Sequence, residues 1–334
     1  MTADAAANLA QATAAPLGRH AIFLTVTVRD TSAAYETVRG TLADVSDTVK
    51  SVGFRDRTAD LTCVTGISAS AWPPLTGRPL PKELHPFQEI QGRVHTAVTT
   101  PGDLLFHIRA DRQDLCFELE RQILATLRGA VDVVDETTAF RYFDTRDLLG
   151  FVDGTANPVG REIANAILVD DEDPDFRGGS YIVTQKYLHN IDAWSHLTTE
   201  QQETIIGRTK ADDIELPDAT SGQRSHKTLS TITDDAGNEY PILRDNMPFG
   251  RPGADQFGTY FIGYSARLWV IERMLERMFI GDPPGAHDRI LDFSTAATGN
   301  VFFAPARELL DSLDDSPAGP TTDDISLGLG ALRA

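Results

Sequence analysis

The sequence predicts an α+β fold made of two similarly built halves, each a β-sheet covered on one face by helices. An apolar strand at Leu104–Ala110 leads into a helical pattern in which Leu115, Leu119 and Ile123 share one face. The strand pattern of residues 105–110 recurs at residues 261–266, and apolar side chains at 271, 275 and 279 repeat the helical face. A strand-to-helix unit that recurs at one offset indicates two halves of similar architecture.

The other elements follow from local patterns of apolar residues and caps. The predicted strands are 20–28, 179–187 and 301–303. The predicted helices are about 31–49, 198–206 with Thr198 as N-cap, and one that begins near Pro305.

The same patterns predict a division of the chain into four parts. We expect a flexible N-terminal arm over 1–19, an N-terminal domain over 20–145 and a C-terminal domain over 146–313. Residues 314–334 differ in kind, because 314–324 are Pro, Asp, Ser, Thr, Ala and Gly without a large apolar side chain. Such a segment cannot bury a core, so we expect a disordered linker followed by a short apolar tail.

Composition excludes several classes of protein. The 334 residues are 41% hydrophobic and 24% charged, as in soluble globular proteins, and no run is long enough to span a bilayer. The net charge of −19 argues against nucleic acid and anionic membranes as partners. Cys116 lies on the apolar face of a predicted helix, which favours a buried free thiol. The first residues lack a basic, apolar leader, so we expect a cytoplasmic protein.

Few segments offer catalytic chemistry, and the sequence contains no Walker loop, dinucleotide fingerprint, zinc-protease helix or nucleophile elbow. The turn GFVDGTANP at 150–158 places Asp153 in an apolar segment, where a carboxylate is costly unless it is paired or used. His226 lies in a polar stretch before a predicted strand, and Arg244 and Asn246 lie in a compact turn. Asp288 suits a helix start or an ion pair. Each of these residues also has an ordinary structural interpretation.

Several motifs in one order resemble the bacterial dye-decolourising peroxidases, most closely the group called type B, over about 20–313. The motifs are GFVDGTANP, DEDPDFRGGSY (171–181), IGRTK (206–210), the pair at 225–226, LRDNMPF (243–249), GTYFIGY (258–264) and LDFSTAATG (291–299). The resemblance implies two tandem ferredoxin-like domains of the dimeric α+β barrel type. It also implies one haem b per chain, in the C-terminal half.

Matched position by position, the resemblance assigns roles to individual residues. His226 is expected to be the axial ligand of the haem iron, with Asp288 bonded to its far nitrogen. Asp153 is expected to be the acid–base group on the opposite face, with Arg244 and Asn246 beside it. The remaining residues expected at the cofactor are Arg208, Gly154 and Thr155.

The implied function is a peroxidase that reduces hydrogen peroxide through an oxo-ferryl intermediate and oxidises dyes, phenols or other one-electron donors. A haem-binding carrier or iron-release protein on the same scaffold is the alternative. Because large dyes would not fit a buried pocket, Trp194, Trp269 and Tyr260 are possible surface relays for electrons, although packing residues are the simpler interpretation.

The tail after the linker carries the apolar residues Ile325, Leu327, Leu329 and Leu332, and glycines at 328 and 330 oppose a free helix. Such a segment suits docking in extended form into a groove on another protein. It resembles the C-terminal targeting peptides of enzymes packaged in encapsulin shells. The resemblance implies cargo loading into an encapsulin nanocompartment and a homo-oligomer, hexamer or tetramer. A frayed terminus without function is the alternative.

Overall fold

The computed structural model describes residues 9–219 and 222–314, and these form a long curved main sheet with helices on its outer face and a separate two-stranded hairpin. The strands are β1 (His20–Val28), β2 (Thr62–Ile67), β3 (Ile90–Gln91), β4 (Thr96–Ala97), β5 (Leu104–Ala110), β6 (Val131–Phe140), β7 (Ser180–His189), β8 (Leu243–Arg244), β9 (Met247–Arg251), β10 (Gln256–Ser265), β11 (Ser294–Ala296) and β12 (Asn300–Ala304). The helices are α1 (Ser32–Gly53), α2 (Trp72–Thr76), α3 (Gln113–Thr126), α4 (Arg161–Ile167), α5 (Ile191–Ser195), α6 (Thr199–Ile206), α7 (His226–Ser230), α8 (Leu268–Phe279) and α9 (Arg307–Asp311).

The main sheet joins the two halves of the chain. Its strand order is β6-β1-β5-β2-β12-β7-β10-β8, with β9 beside β10 and β11 beside β7, and its pairings are antiparallel. The halves meet where Phe303 of β12 pairs with Ile67 of β2. Because β6 at one end also lies against β9 at the other, the sheet curls into a barrel.

The two faces of this barrel carry different cores. On the outside, α1 and α3 cover the N-terminal strands and α8 covers the C-terminal strands, which buries one continuous apolar cluster. Phe23, Tyr260 and Tyr264 point into the barrel, where Phe23 and Tyr260 stack with ring centroids 4.0 Å apart. Alternate residues of each strand therefore serve two separate cores.

The predicted α+β fold with two repeated halves is confirmed. Strand β5 is followed by α3, and β10 is followed by α8, as the recurring pattern predicts. Thr198 caps α6 and forms a reciprocal capping box with Gln201. Cys63 and Cys116 are both buried free thiols.

Part of the expected N-terminal arm is packed against the barrel. The Gln11 side chain is buried and bonds both the N–H and the carbonyl of Thr65, at 2.8 and 2.9 Å. The guanidinium of Arg109 donates to the carbonyls of Ala12 and Ala15. From about residue 10, this segment therefore closes one end of the barrel.

Two further expectations concern membranes and the tail. None of the helices in the described ranges combines the length and the apolar character needed to cross a bilayer. The predicted docking residues Ile325, Leu327, Leu329 and Leu332 lie outside the described residues.

Candidate active site

His226 is the first residue of the short helix α7 and points into a cavity in the C-terminal half. The sequence predicts a strand after this residue, and that prediction is wrong. The Ser225 hydroxyl accepts a hydrogen bond from the Thr228 N–H and so caps a helix at this point. The cap fixes the start of the helix, and with it the direction of the His226 side chain.

Asp288 holds the imidazole from behind. Its Oδ2 accepts a hydrogen bond from Nδ1 of His226 at 2.6 Å, and its Oδ1 accepts one from the Ile290 N–H at 3.1 Å. The second bond makes Asp288 the N-cap of a 3₁₀ turn, Arg289–Asp292. Asp288 is fully buried, and each of its oxygens has a hydrogen-bond partner, as a buried carboxylate requires. We call His226 and Asp288 the proximal pair.

The proximal pair controls the protonation of the imidazole. Burial, the largest influence, lowers the pKa of His226, but the charge of Asp288 and its hydrogen bond outweigh burial and leave the pKa raised. Because Nδ1 is the atom bonded to the carboxylate, the Nε2 atom is left to face the cavity. An imidazole held in this way is a strong donor toward a metal ion.

Asp153 lies on a sharply folded loop that is tied to strand β8. The chain turns at Gly154, whose φ of +81° a residue with a side chain rarely adopts. The amide of Asn157 then bonds both backbone groups of Arg244, with its oxygen 2.9 Å from the N–H and its nitrogen 2.7 Å from the carbonyl. These two hydrogen bonds hold the loop against the strand.

Arg244 and Asn246 reach the cavity because they alternate with Asp245 along the backbone. Asp245 points the other way, into the barrel, and forms a close ion pair with Arg109. Asn246 donates from Nδ2 to Asp153 at 3.4 Å and accepts at Oδ1 from the Ile262 N–H at 3.3 Å. We call Asp153, Arg244 and Asn246 the distal group.

The guanidinium of Arg244 has weak partners. It donates to the Ser230 carbonyl at 3.1 Å and approaches the Met274 sulfur at 3.5 Å. None of the ion pairs within the described ranges includes Arg244. Burial lowers its pKa, and the nearby charge of Asp153 partly opposes this shift. Its N–H groups are therefore available to an anion in the cavity.

The pKa of Asp153 is raised. Burial is the main cause, while the hydrogen bond from Asn246 and the charge of Arg244 pull the pKa down without cancelling it. The sequence leaves this sign open, because an apolar loop and a cation act in opposite directions. In the folded chain, the effect of burial on the pKa of Asp153 is larger than the opposing effect of Arg244.

The cavity suits a large, flat, mostly apolar cofactor. Its empty space, counted together with the part open to solvent, is about 860 Å³. Its apolar wall is formed by Leu149, Phe151, Ile206, Phe261, Met274, Leu275, Met278 and Ile290. One imidazole nitrogen faces this space, and acidic and cationic side chains lie near enough to alter its pKa. These residues fit a haem held by one histidine.

Three residues expected at the cofactor lie away from this cavity's wall. The guanidinium of Arg208 is paired with Asp213 and Glu215, and the Thr155 hydroxyl also donates to Asp213, at 2.7 Å. Gly154 lines a smaller adjoining hollow together with members of the distal group.

The cavity also contains residues that the sequence interpretation overlooked. Asp147 lines it, and burial raises the pKa of its carboxyl to about 7, partly opposed by backbone N–H bonds. His189 lines it as well, with Nδ1 bonded to Ser294 and Nε2 to Thr259, both at 2.8 Å, and burial lowers its pKa to about 4. Strand alternation from Tyr187 would have pointed to His189, since residues two apart share a face.

Two of the three proposed surface relays are not at the surface. Trp194 and Tyr260 are buried, the first donating to the Leu149 carbonyl and the second stacked inside the barrel. Trp269 is 40% exposed. The packing interpretation is therefore correct for Trp194 and Tyr260.

Comparison with known proteins identifies relatives for both halves. Residues 10–141 match the family model "Dyp-type peroxidase, N-terminal" and residues 144–309 match "Dyp-type peroxidase, C-terminal". A dye-decolorizing peroxidase of Mycolicibacterium paratuberculosis is 51% identical over 324 residues, which cover 96% of this chain and 91% of the relative.

Solved structures agree with that match. The encapsulated DyP-type peroxidase from Mycobacterium smegmatis is 52% identical with a TM-score of 0.88, covering 93% of this chain and 99% of that one. A variant of DypB from Rhodococcus jostii RHA1, solved in complex with heme, is 52% identical with a TM-score of 0.87, covering 89% and 96%.

Proposed function

This chain belongs to the Dyp-type peroxidase family and is a dye-decolourising peroxidase, and on that premise we propose that its cavity binds one haem b with His226 as the axial ligand. The observation that carries the proposal is that His226, bonded from behind by Asp288, faces the same cavity as the distal group. When bound, the haem supplies an iron centre that takes oxidising equivalents from hydrogen peroxide and passes them to dyes, phenols or other one-electron donors.

The proximal pair holds the cofactor and sets its electronics. Asp288 keeps the proton on Nδ1 of His226, so the lone pair of Nε2 is the one offered to the metal. The carboxylate also increases the electron donation of the ring, which favours oxidised states of the iron.

Asp153 moves the proton of the peroxide. As a carboxylate it accepts the proton from one oxygen of hydrogen peroxide, and as a carboxylic acid it returns that proton to the oxygen that leaves as water. Its raised pKa suits both duties, because a group closer to the working pH exchanges protons in each direction.

Arg244 stabilises negative charge as the O–O bond breaks. Its guanidinium has no carboxylate partner among the described ion pairs, and it is partly buried at the wall of the cavity. In such a setting a preorganised cation or N–H donor is usually the largest single electrostatic contribution. Asn246 and Asn157 position the two reacting residues, the first by bonding Asp153 and the second by bonding the Arg244 backbone.

The test is an absorbance scan followed by turnover. Purified chain supplied with haem should show a Soret band and oxidise guaiacol with hydrogen peroxide. His226→Ala should lose both, while His196→Ala, at an exposed histidine outside the cavity, should keep both. A Soret band without turnover would favour the carrier alternative, and wild-type spectra in His226→Ala would remove this residue from the site.

The C-terminal tail, we further propose, loads the enzyme into an encapsulin shell in the cytoplasm. The support is the apolar tail pattern behind an acidic linker, together with a relative described as an encapsulated DyP-type peroxidase. Deletion of 322–334 should abolish co-purification with a co-expressed shell protein and leave guaiacol oxidation unchanged. Retained co-purification would refute tail-dependent loading.

The expected assembly and domain division also remain proposals. We propose a homo-oligomer, hexamer or tetramer, of chains divided near residue 145. Analytical ultracentrifugation of the tail-deleted chain gives the subunit number without interference from the shell.

A further inference from the structure

A second cluster of metal-binding side chains lies beside the proximal loop. It consists of His95 from the N-terminal half and His287 and Asp292 from the C-terminal half. We call these three residues the bridging cluster. The three residues do not line the cavity, and no step proposed for the peroxidase uses them.

The donor atoms of the bridging cluster converge. Nε2 of His95 lies 3.0 Å from Oδ1 of Asp292, and Nε2 of His287 lies 2.9 Å from the same oxygen. All three donor atoms lie within 4.8 Å of one another. Zinc bonds of about 2.0–2.2 Å in a tetrahedron would place such atoms roughly 3.3 Å apart, close to the two imidazole–carboxylate separations, so coordination would mainly bring the two imidazole nitrogens closer together.

His95 is held in place by a tight hairpin. It lies in the turn between β3 and β4, which is closed by a hydrogen bond from the Gly92 N–H to the His95 carbonyl at 3.0 Å. The turn sits against the end of α8, where a Cβ on Gly92 would lie 2.1 Å from the Phe279 carbonyl oxygen. A donor carried on so constrained a turn loses little freedom on binding.

His287 and Asp292 are held by the 3₁₀ turn between them. The carbonyl of His287 accepts a bond from Gln223 at 2.8 Å, and Asp288 caps the turn. The second oxygen of Asp292 receives a longer contact of 3.4 Å from Nε of Arg289. The carboxylate is thus oriented with Oδ1 toward both imidazoles.

We propose that the bridging cluster binds one divalent transition-metal ion of the zinc type. Two neutral imidazoles and one carboxylate carry a single negative charge, which suits a dication, and imidazole favours zinc over manganese. A water molecule completes the coordination. The two imidazoles are partly buried and Asp292 is exposed, so an ion can enter from solvent, and the net charge of −19 attracts cations.

A bound ion links the two halves of the chain at the back of the haem site. It joins the β3–β4 hairpin to the segment 287–292, and that segment includes Asp288 of the proximal pair. The cluster therefore restrains the residue that orients the axial histidine.

The competing explanation is a hydrogen-bonded cluster in which both imidazoles donate to Asp292. His95→Gln separates the two, because a glutamine amide can still donate to Asp292 but is a poor zinc ligand. His95→Ala removes both interactions. The matched control is His85→Ala, since His85 pairs with Glu272 at 3.2 Å outside the cluster.

The experiment uses tag-free, full-length, haem-loaded protein dialysed against Zn²⁺, with zinc and iron counted by mass spectrometry. Wild type and His85→Ala should bind one zinc per chain, with a higher melting temperature in Zn²⁺ than in chelator. His95→Gln and His95→Ala should bind zinc at least about 100-fold more weakly, since even the loss of an outer partner costs 10–100-fold.

Other results would overturn the proposal. Equal zinc in wild type and both His95 variants would place the ion elsewhere, and no zinc in the wild type would leave only the hydrogen-bonded cluster. Mn²⁺ bound more tightly than Zn²⁺ would exclude a zinc-type ion. An unchanged Soret band and circular dichroism in each variant show that folding is intact.

Discussion

His226 and Asp288 hold each other at 2.6 Å, whereas the nearest hydrogen bond to Asp153 from within the distal group is 3.4 Å long. Both oxygens of Asp288 accept a hydrogen bond, while the guanidinium of Arg244 reaches only a carbonyl and a thioether among the described residues. In the pair that we propose holds the cofactor, the protein fixes Nδ1 of His226 and both oxygens of Asp288 and leaves Nε2 of the imidazole for the metal. In the distal group, which we propose reacts with the substrate, the protein makes fewer and longer hydrogen bonds.

The pKa shifts follow the same difference. Pairing with Asp288 keeps the pKa of His226 raised in spite of burial. Burial instead dominates in the distal group, where it moves both Asp153 and Arg244 toward their neutral forms. Groups displaced in this way make poor contributions to stability and useful contributions to catalysis.

The largest expected effect on the distal side comes from removing the cation. Arg244→Leu should slow the reaction with hydrogen peroxide about 10²–10³-fold, the range for loss of a preorganised electrostatic donor. The rate constant is measured by stopped-flow mixing, from the change in the Soret band, with haem content matched to the wild type.

Arg244→Lys is the matched control for charge. It keeps a cation but loses the planar fork, so its rate should fall between those of wild type and Arg244→Leu. A wild-type rate in Arg244→Leu would contradict the proposed difference between the proximal pair and the distal group, because the guanidinium would then have no catalytic role.

A smaller effect is expected from Asp153→Asn, at most about 100-fold, because water in the cavity can carry the proton in its place. The pH profile is the sharper measurement. In the wild type the rate should fall as pH drops through the raised pKa of Asp153, where the carboxylate becomes protonated and stops acting as a base. This step should vanish in Asp153→Asn.

Asp147→Asn tests whether a neighbouring carboxylate produces that step. Asp147 lines the same cavity, and burial raises its pKa to about 7, so it too gains a proton as the pH falls. If Asp147→Asn abolished the step and Asp153→Asn retained it, the proton shuttle would belong to Asp147.

The sequence predicts best the strands that are apolar on both faces. Strands β1 and β5 were predicted over the residues that form them, since both are buried between the barrel core and the helices. The sequence does not predict strand β6, because acidic residues interrupt it and half of its residues are exposed. The compact turn predicted at Arg244 and Asn246 is wrong, because β8 ends at Arg244 and β9 begins at Met247, so this segment belongs to the edge of the sheet. Pro248 within β9 hides the strand, which pairs with β10.

The site was predictable only through resemblance. His226 and Asp288 are 62 residues apart, and the 3₁₀ turn that brings the carboxylate to the imidazole has no sequence pattern of its own. Asp147 was hidden for a related reason, since its pKa depends on surrounding protein that local sequence does not describe. His189 could have been found from alternation along β7.

The alternation at positions 244–246 makes this strand unusually sensitive to insertions and deletions. A shift of one residue in the register of this strand would turn Asp245 toward the haem site and Arg244 and Asn246 into the barrel. Arg109 would then lose its carboxylate partner. The insertion or deletion of one residue here would therefore change the side chains in both the cavity and the barrel interior. We therefore expect an insertion or a deletion at these three consecutive positions to be more damaging than one in an exposed loop.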